Sequence, residues 1–198
     1  MMHGIIGARF GKKGPIVRVQ KEKELIQRAQ QGDLAAVSEL YNSHVDRIYH
    51  YVRYRINDEQ TAEDITAEVF LRAIEGLGSY NDQGVPFIAW LYRIARARVI
   101  DYWRSLKHRQ TTPLDDPLLQ DSLVVVDEAI NTDFLQHRSL RLALQQLTDD
   151  QQNVIILKFM QGLGNAEIAQ VLGKTEGAIK ALQRRALESL ARLLNEEH

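Results

Sequence analysis

The stretch NAEIAQVLGKTEGAIKALQRRA, residues 165–186, sets two short helical patterns around a single glycine, Gly173. Asn165 is placed to cap a helix over Ala166–Leu172, Gly173 to turn the chain, and Thr175 to cap the helix that follows. Ile179, Leu182, Ala186, Leu190 and Leu193 recur at helical spacing and form the inner stripe of that last helix. Ile168 and Ala169 then meet Ile179 and Leu182, and small residues at the turn let the helices cross closely. With the stripe inward, Lys180, Ala181 and Arg184 turn outward, with Gly177 and Arg185 at the edge. This is the helix-turn-helix arrangement, whose second helix suits the major groove of DNA. A plain αα-hairpin with solvating bases is the rival reading. It does not account for both caps, the glycine and the outward bases together.

Working outward, Leu140, Leu144 and Leu147 mark a preceding helix in a module that starts near Phe134. Thr148 with Gln151 makes a capping-box entry to the next helix, which buries Val154, Ile155 and Leu157. At the other end of the chain, a helix over Lys21–Gln31 closes at Gly32, and Asp33 caps a second carrying Val37, Leu40, Val45, Ile48 and Val52. Asp58 or Thr61 caps a third, with Ile65, Val69, Ile74 and Leu77 on its buried side. GLGSYNDQGVP breaks it, and Pro86 opens a fourth helix running to about His108. Between the modules, residues 109–133 carry two prolines and no sustained helical stripe; Ser122–Val126 is an apolar anchor or a short strand within this flexible, acidic linker. The expected fold is all-α. It has a basic, disordered extension over 1–20, a four-helix module over 21–108, the linker, and a helix-turn-helix module over 134–198.

At 198 residues and 44% hydrophobic content the chain suits one mid-sized domain or two small ones. With no cysteine, disulfides, thiolate metal sites and thiol catalysis are all excluded. No apolar run approaches the roughly 18 residues of a membrane span, and the N-terminus lacks the apolar core of a signal peptide, so a cytoplasmic protein is expected. The six histidines are scattered, without paired-ligand spacing, and no phosphate-binding glycine loop occurs. Glu63 and Asp64, as neighbours on a helix, do not face each other across a catalytic site. Neither an enzyme nor a metal or cofactor site is expected.

The net charge of −1 hides strong segregation. Asp58, Glu59, Glu63, Asp64, Glu68 and Glu75 face only Arg72 in one block. Arg93, Arg96, Arg98, Arg104, Lys107 and Arg109 face only Asp101 in another. That second block lies on the fourth helix, interleaved with Phe87, Trp90, Tyr92, Tyr102 and Trp103. Guanidinium groups follow phosphates and aromatic faces stack on unpaired bases, which suits strands being separated. Phe87, Trp90, Leu91, Ile94 and Ile100 also have core spacing. The loop Ser79–Val85 ahead of this helix could form a pocket for a flipped base.

AEDITAEVFLRAIEGL followed by FIAWLYRIARARVIDYWR resembles region 2 of bacterial sigma factors, and residues 147–190 resemble their region 4. The whole resembles the compact extracytoplasmic-function (ECF) group, over roughly 22–108 and 136–194. The resemblance implies a protein that binds core RNA polymerase and directs it to promoters with −35 and −10 elements. It implies −35 contacts from Gly177, Lys180, Ala181, Arg184 and Arg185. It implies −10 contacts from Ser79, Tyr80, Asn81, Trp90, Arg93, Arg96, Ala97, Arg98 and Arg104. Core docking on the polymerase clamp helices would fall to Glu63, Asp64, Glu68, Val69 and Arg72, with the flap as a second core contact and an anti-sigma protein as a further partner. Ala97 stands where the family usually has Asn, and Leu182 and Leu187 stand at commonly basic positions. The rival functional reading is a stand-alone helix-turn-helix regulator that binds duplex DNA without polymerase; a third is a protein that only sequesters a sigma factor.

Overall fold

A computed structural model describes residues 15–81, 85–111 and 140–196, with side chains placed over 20–81, 85–108 and 140–195. Helix α1 (Pro15–Gln30) begins at a proline, whose missing N–H is no loss at a helix start. The expected helix start at Lys21 is therefore late, and the extension over 1–20 gives up its last residues to α1; the rest lies outside the described residues. Gly32, at φ +89°, turns the chain, and Asp33 Oδ1 caps α2 (Leu34–Arg55) by accepting the Ala35 and Ala36 N–H groups. Asp58 caps α3 (Glu59–Gly76), its carboxylate accepting the Thr61 N–H at 2.6 Å. A 3₁₀ turn, Leu77–Ser79, follows, and α4 (Phe87–Thr111) begins just after Pro86. Leu40, Ile48, Val52, Ile65, Val69, Leu91, Tyr92 and Val99 are buried inside this first bundle.

Helix α4 runs three residues past the expected end at His108 and takes in the first residues of the expected 109–133 linker; the rest of that linker, its Ser122–Val126 anchor and the start near Phe134 lie outside the described residues, and helix resumes as α5 over 140–145. Thr148 and Gln151 form the expected capping box at α6 (Asp149–Ile155). The next turn departs from expectation: Ile156–Met160 is π-helical, its hydrogen bonds spanning one residue more than in an α-helix, as from the Gln161 N–H to the Ile156 carbonyl. The widened turn lets Ile156 and Leu157 both stay buried while Phe159 is left exposed. Then come α7 (Asn165–Leu172) and α8 (Glu176–Glu196). No strand occurs among the described residues.

The two modules do not sit apart. α4 packs against α7, and α2 against the π-turn. Tyr51, Leu91 and Tyr92 from the first module share one apolar cluster with Val154, Leu157, Leu163, Ile168 and Ile179 from the second. A smaller cluster of Ala143, Leu144, Leu147, Ile155, Ala186 and Leu190 holds α5 and α6 against α8. Each fully buried Leu, Ile or Val among them stabilises the fold by about 1.5–3 kcal/mol.

Gly173 adopts φ +64°, in the left-handed region, and a methyl group there would meet nothing within 4 Å. Gly173→Ala is therefore predicted to cost about 1 kcal/mol through backbone conformation alone. Urea unfolding should show a lower midpoint with an unchanged slope.

Candidate nucleic-acid and core-docking surfaces

The turn between α7 and α8 is built from local hydrogen bonds. Glu167 accepts the Gly164 N–H at 2.6 Å, so Gly164 and not Asn165 is the cap of α7, and Asn165 is the first helical residue. The Glu167 carboxylate reaches back to the backbone N–H of the cap residue, the reciprocal half of a capping box, with Gly164 in extended geometry. At the far end the Gly173 and Lys174 N–H groups both converge on the Ala169 carbonyl. Thr175 Oγ1 then accepts the Ala178 N–H at 3.2 Å and starts α8, as expected. Ile179, Ala186 and Leu190 are buried, with Leu182 and Leu193 half-buried against the apolar clusters. Gly177, Lys180, Arg184 and Arg185 are exposed on the opposite face, and Ala181 is half-buried at its edge. Arg184 has Glu188 one turn on at 3.8 Å, an exposed pair that competes weakly with an incoming phosphate.

The fourth helix divides its side chains more sharply than its spacing suggests. Phe87, Leu91, Tyr92, Ala95 and Val99 are core. Trp90 lies across Gly76, where an added Cβ would stand 3.3 Å from the indole, and packs with Tyr80 and Phe87. Tyr80 is buried in this aromatic cluster, its hydroxyl donating to the Val85 carbonyl at 2.9 Å. Tyr80 is thus no free stacking face for a base; it anchors the loop. Gln30 reinforces that anchor by donating to the Leu77 and Tyr80 carbonyls. Ser79 and Asn81 are exposed at the loop's start, and residues 82–84 of the expected base pocket lie outside the described residues.

The α4 arginines fall into two groups. Arg93 and Arg104 are exposed, as is Ala97, and Trp103 beside them is 46% exposed. Arg98 is tied to Glu68 at 3.0 Å and Asp101 at 2.6 Å. Arg96 is tied to Asp149 at 2.9 Å and Asp150 at 3.4 Å, across the junction between the modules.

On α3, Glu63, Asp64 and Arg72 are exposed, the last paired with Glu75 at 3.0 Å. Glu68 is half-buried beside Arg98. Val69 is fully buried and cannot meet a partner, because its place in the helical period faces the core. Two apolar residues emerge instead: Leu71 at 61% and Ile74 at 51% exposure. Ile74 was expected inside. It lines the rim of a shallow apolar groove with Val37, Tyr41 and Phe70. The signal available was an excess of apolar positions over what one stripe can bury.

The junction itself is polar and largely enclosed. Arg55, only 4% exposed, donates to Asp149 at 2.5 Å and to Asn153 at 2.7 Å. Tyr51 donates to the same Asn153 oxygen, and burial pushes its hydroxyl pKa up. Asp150 also receives Lys174, from the turn of the helix-turn-helix, at 2.9 Å. Around the rim, Arg47 donates to the Gln161 carbonyl, Tyr92 to the Gln161 side chain, and Gln145 to Asn57 at 2.7 Å. Burial alone would raise the Asp149 pKa, but Arg55 and Arg96 outweigh it and hold the carboxyl below its ordinary value. Among the described residues no cluster of His, Asp and Glu could hold a metal ion, and no helix is long and apolar enough to cross a membrane.

Against this geometry, residues 40–109 match the family model of Sigma-70 region 2, and residues 137–190 match that of Sigma-70, region 4. The chain is 41% identical over 174 residues to the ECF RNA polymerase sigma factor BldN of Streptomyces coelicolor, covering 88% of this chain and 66% of that protein. It is 31% identical over 169 residues to the ECF RNA polymerase sigma factor SigX of Bacillus subtilis, covering 80% of this chain and 84% of the relative. The fold is similar to that of CnrH in complex with the cytosolic domain of CnrY, with a TM-score of 0.70 at 22% identity over 89% of this chain and 99% of that one. It is also similar to the sigma factor RpoE in complex with the anti-sigma factor NepR from Bartonella quintana, with a TM-score of 0.65 at 22% identity over 81% of this chain and 98% of that one.

Because the folded-state pKa of Asp149 is depressed, its contribution to stability is present above the ordinary carboxylate range and is lost as pH falls through the lower folded value. Urea midpoints should therefore be steady near neutrality and drop in acid. Asp149→Asn should lower the midpoint at neutral pH and flatten that acid limb; an acid limb unchanged by the substitution would remove Asp149 from this role.

Proposed function

The chain belongs to the ECF group of RNA polymerase sigma factors, and from that premise we propose how its surfaces divide the work of promoter recognition. It binds core polymerase, directs it to promoters and assists strand opening, without catalysing a reaction of its own, and it acts in the cytoplasm. The observation that carries this reading is the cationic outer face of α8, where Lys180, Arg184 and Arg185 stand exposed beyond a tightly built turn. In a major groove, the early positions Gly177, Lys180 and Ala181 lie near base edges while Arg184 and Arg185 lie near phosphates. Those five residues form the −35 reader.

The −10 element falls to α4 and the loop ahead of it. Ser79, Asn81, Arg93, Ala97 and Arg104 are available at once, Trp90 supports the loop from beneath, and Arg96 and Arg98 become available when their carboxylates let go. Tyr80 positions the loop and touches no base. Core docking uses the acidic face Glu63 and Asp64 with Arg72, with Glu68 joining when Arg98 turns to DNA, and the exposed Leu71 and Ile74 add apolar contact at its edge. An anti-sigma protein that covers these surfaces is a further partner of this reading.

The decisive experiment is run-off transcription with purified chain and core polymerase on genomic promoter fragments. Core plus chain should initiate where core alone does not, while the chain alone binds duplex poorly; tight, specific duplex binding without core would favour the stand-alone regulator. Lys180→Ala and Arg184→Ala should each reduce initiation at −35-dependent promoters by roughly tenfold, the scale of one lost charged contact. Promoter choice unchanged in both would remove α8 as the reader. Replacing Glu63 and Asp64 together with Lys should weaken capture of core in a pull-down.

A further inference from the structure

We infer that the cleft between α2 and the π-turn, with Arg53 and Arg141 at its end, is a binding site for a nucleotide carrying two or more phosphates. Three observations support it. The first is the cleft itself, a recess of about 370 Å³ lined by Asp46, Arg47, His50 and Tyr54 of α2 and by Met160 and Gln161. That volume is in the range of small-molecule sites, and the lining sets ring faces beside charged groups, as such sites do. His50 and Asp46 are exposed there, and Tyr54 is half-buried.

The second is a cation without an anion. Gln145 of α5 donates to Asn57, just past the end of α2, at 2.7 Å. Four residues back along each segment, Arg141 stands close to Arg53 and Tyr54. Arg141 is half-buried, and its Nε is enclosed with no hydrogen-bond partner. No carboxylate among the described residues pairs with it. Arg53 donates to the Ile56 and Asn57 carbonyls, which anchors it but leaves two cations side by side. Burial and the Arg53 charge together hold the Arg141 guanidinium below its ordinary pKa. Such a pair lowers the stability of the fold, and a phosphate bridging both groups through charge-assisted hydrogen bonds reverses that cost.

The third is the order of groups along α2. Asp46 and Tyr54 are eight residues apart, about 12 Å along the helix axis, a length an extended nucleotide can span. The phosphates belong at the Arg53–Arg141 end. The ring faces of His50 and Tyr54 suit a base, and the Asp46 carboxylate accepts from ribose hydroxyls while repelling phosphate from its own end. Arg47 gives one N–H to the Gln161 carbonyl at 2.9 Å and keeps others for the ligand.

Isothermal titration of the full chain with ADP, without polymerase or DNA, tests the site. ADP should bind at least tenfold more tightly than pyrophosphate, which lacks the ring, or adenosine, which lacks the phosphates. Pyrophosphate binding as tightly as ADP would overturn the nucleotide assignment, and no ADP binding at millimolar concentration would overturn the site. Arg141→Met should weaken ADP roughly tenfold, the scale of a lost charged hydrogen bond. Asp46→Asn should weaken ADP several-fold and leave pyrophosphate binding no weaker; an equal loss for both would overturn the ligand's orientation. Urea unfolding of Arg141→Met separates a ligand role from a structural one. Methionine keeps the side chain's length and removes an unpaired charge, so the midpoint should hold or rise. A lower midpoint with unchanged ADP affinity would make Arg141 a structural residue and overturn the inference.

Discussion

A guanidinium group that water barely reaches cannot be left without an anion, and Arg55 near the end of α2 is such a group. Its partners come from one face of α6, where Asp149 and Asn153 are separated by one helical turn and both point at α2. Satisfying Arg55 therefore sets how α6 abuts α2. The π-turn, α7 and α8 continue from α6, so the same requirement places the helix-turn-helix against α4. The apolar contacts of Leu91 and Tyr92 with Leu157 and Ile168 then fill the junction, but their shape alone does not choose the register that the charge does.

The placement has an electrostatic consequence. The blocks of like charge along the chain look like separate docking faces, yet in the folded molecule they partly neutralise one another. Glu68 of the acidic helix is paired with Arg98 of the basic one, and Arg96 is paired with the first turn of α6. Arg93 on α4 and Lys180 and Arg185 on α8 stay exposed, and Arg104 and Arg184 are exposed with only a long, weak pairing, 3.8 Å each, to Asp101 and Glu188. A protein that must avoid gripping any duplex it meets benefits from such internal pairing, because non-specific affinity scales with the number of free phosphate-binding cations.

Much of this was legible in the residues themselves. The Thr148–Gln151 box, the Asp33 and Asp58 caps, Gly173 in its left-handed turn and the inner stripe of α8 all arise from interactions within a few residues. Local chemistry of that kind survives in any context. The readings that failed depend on what lies across a gap. Val69 was placed on a docking face and is core; Ile74 was placed in the core and is exposed. Helical periodicity gives the width of an apolar stripe but not which edge of it a neighbouring helix will cover. The resemblance implied a −10 contact from Tyr80, and only the approach of Phe87 and Trp90 shows that its ring is buried. Asn165 is not the cap because the chain turns helical one residue earlier, with Gly164 extended and Glu167 bonded back to the Gly164 N–H.

Sequence alone determined the helical class, the two modules, the helix-turn-helix with its outward cations and the family, because each is written in short-range spacing: caps, turns, stripes and outward charge. The tertiary structure alone decided that the modules close on one another, and that Arg96 and Lys174 meet Asp149 and Asp150. Residues tens of positions apart, as these are, carry no mutual signal in a single chain. Their meeting is imposed by the need to pair a buried charge.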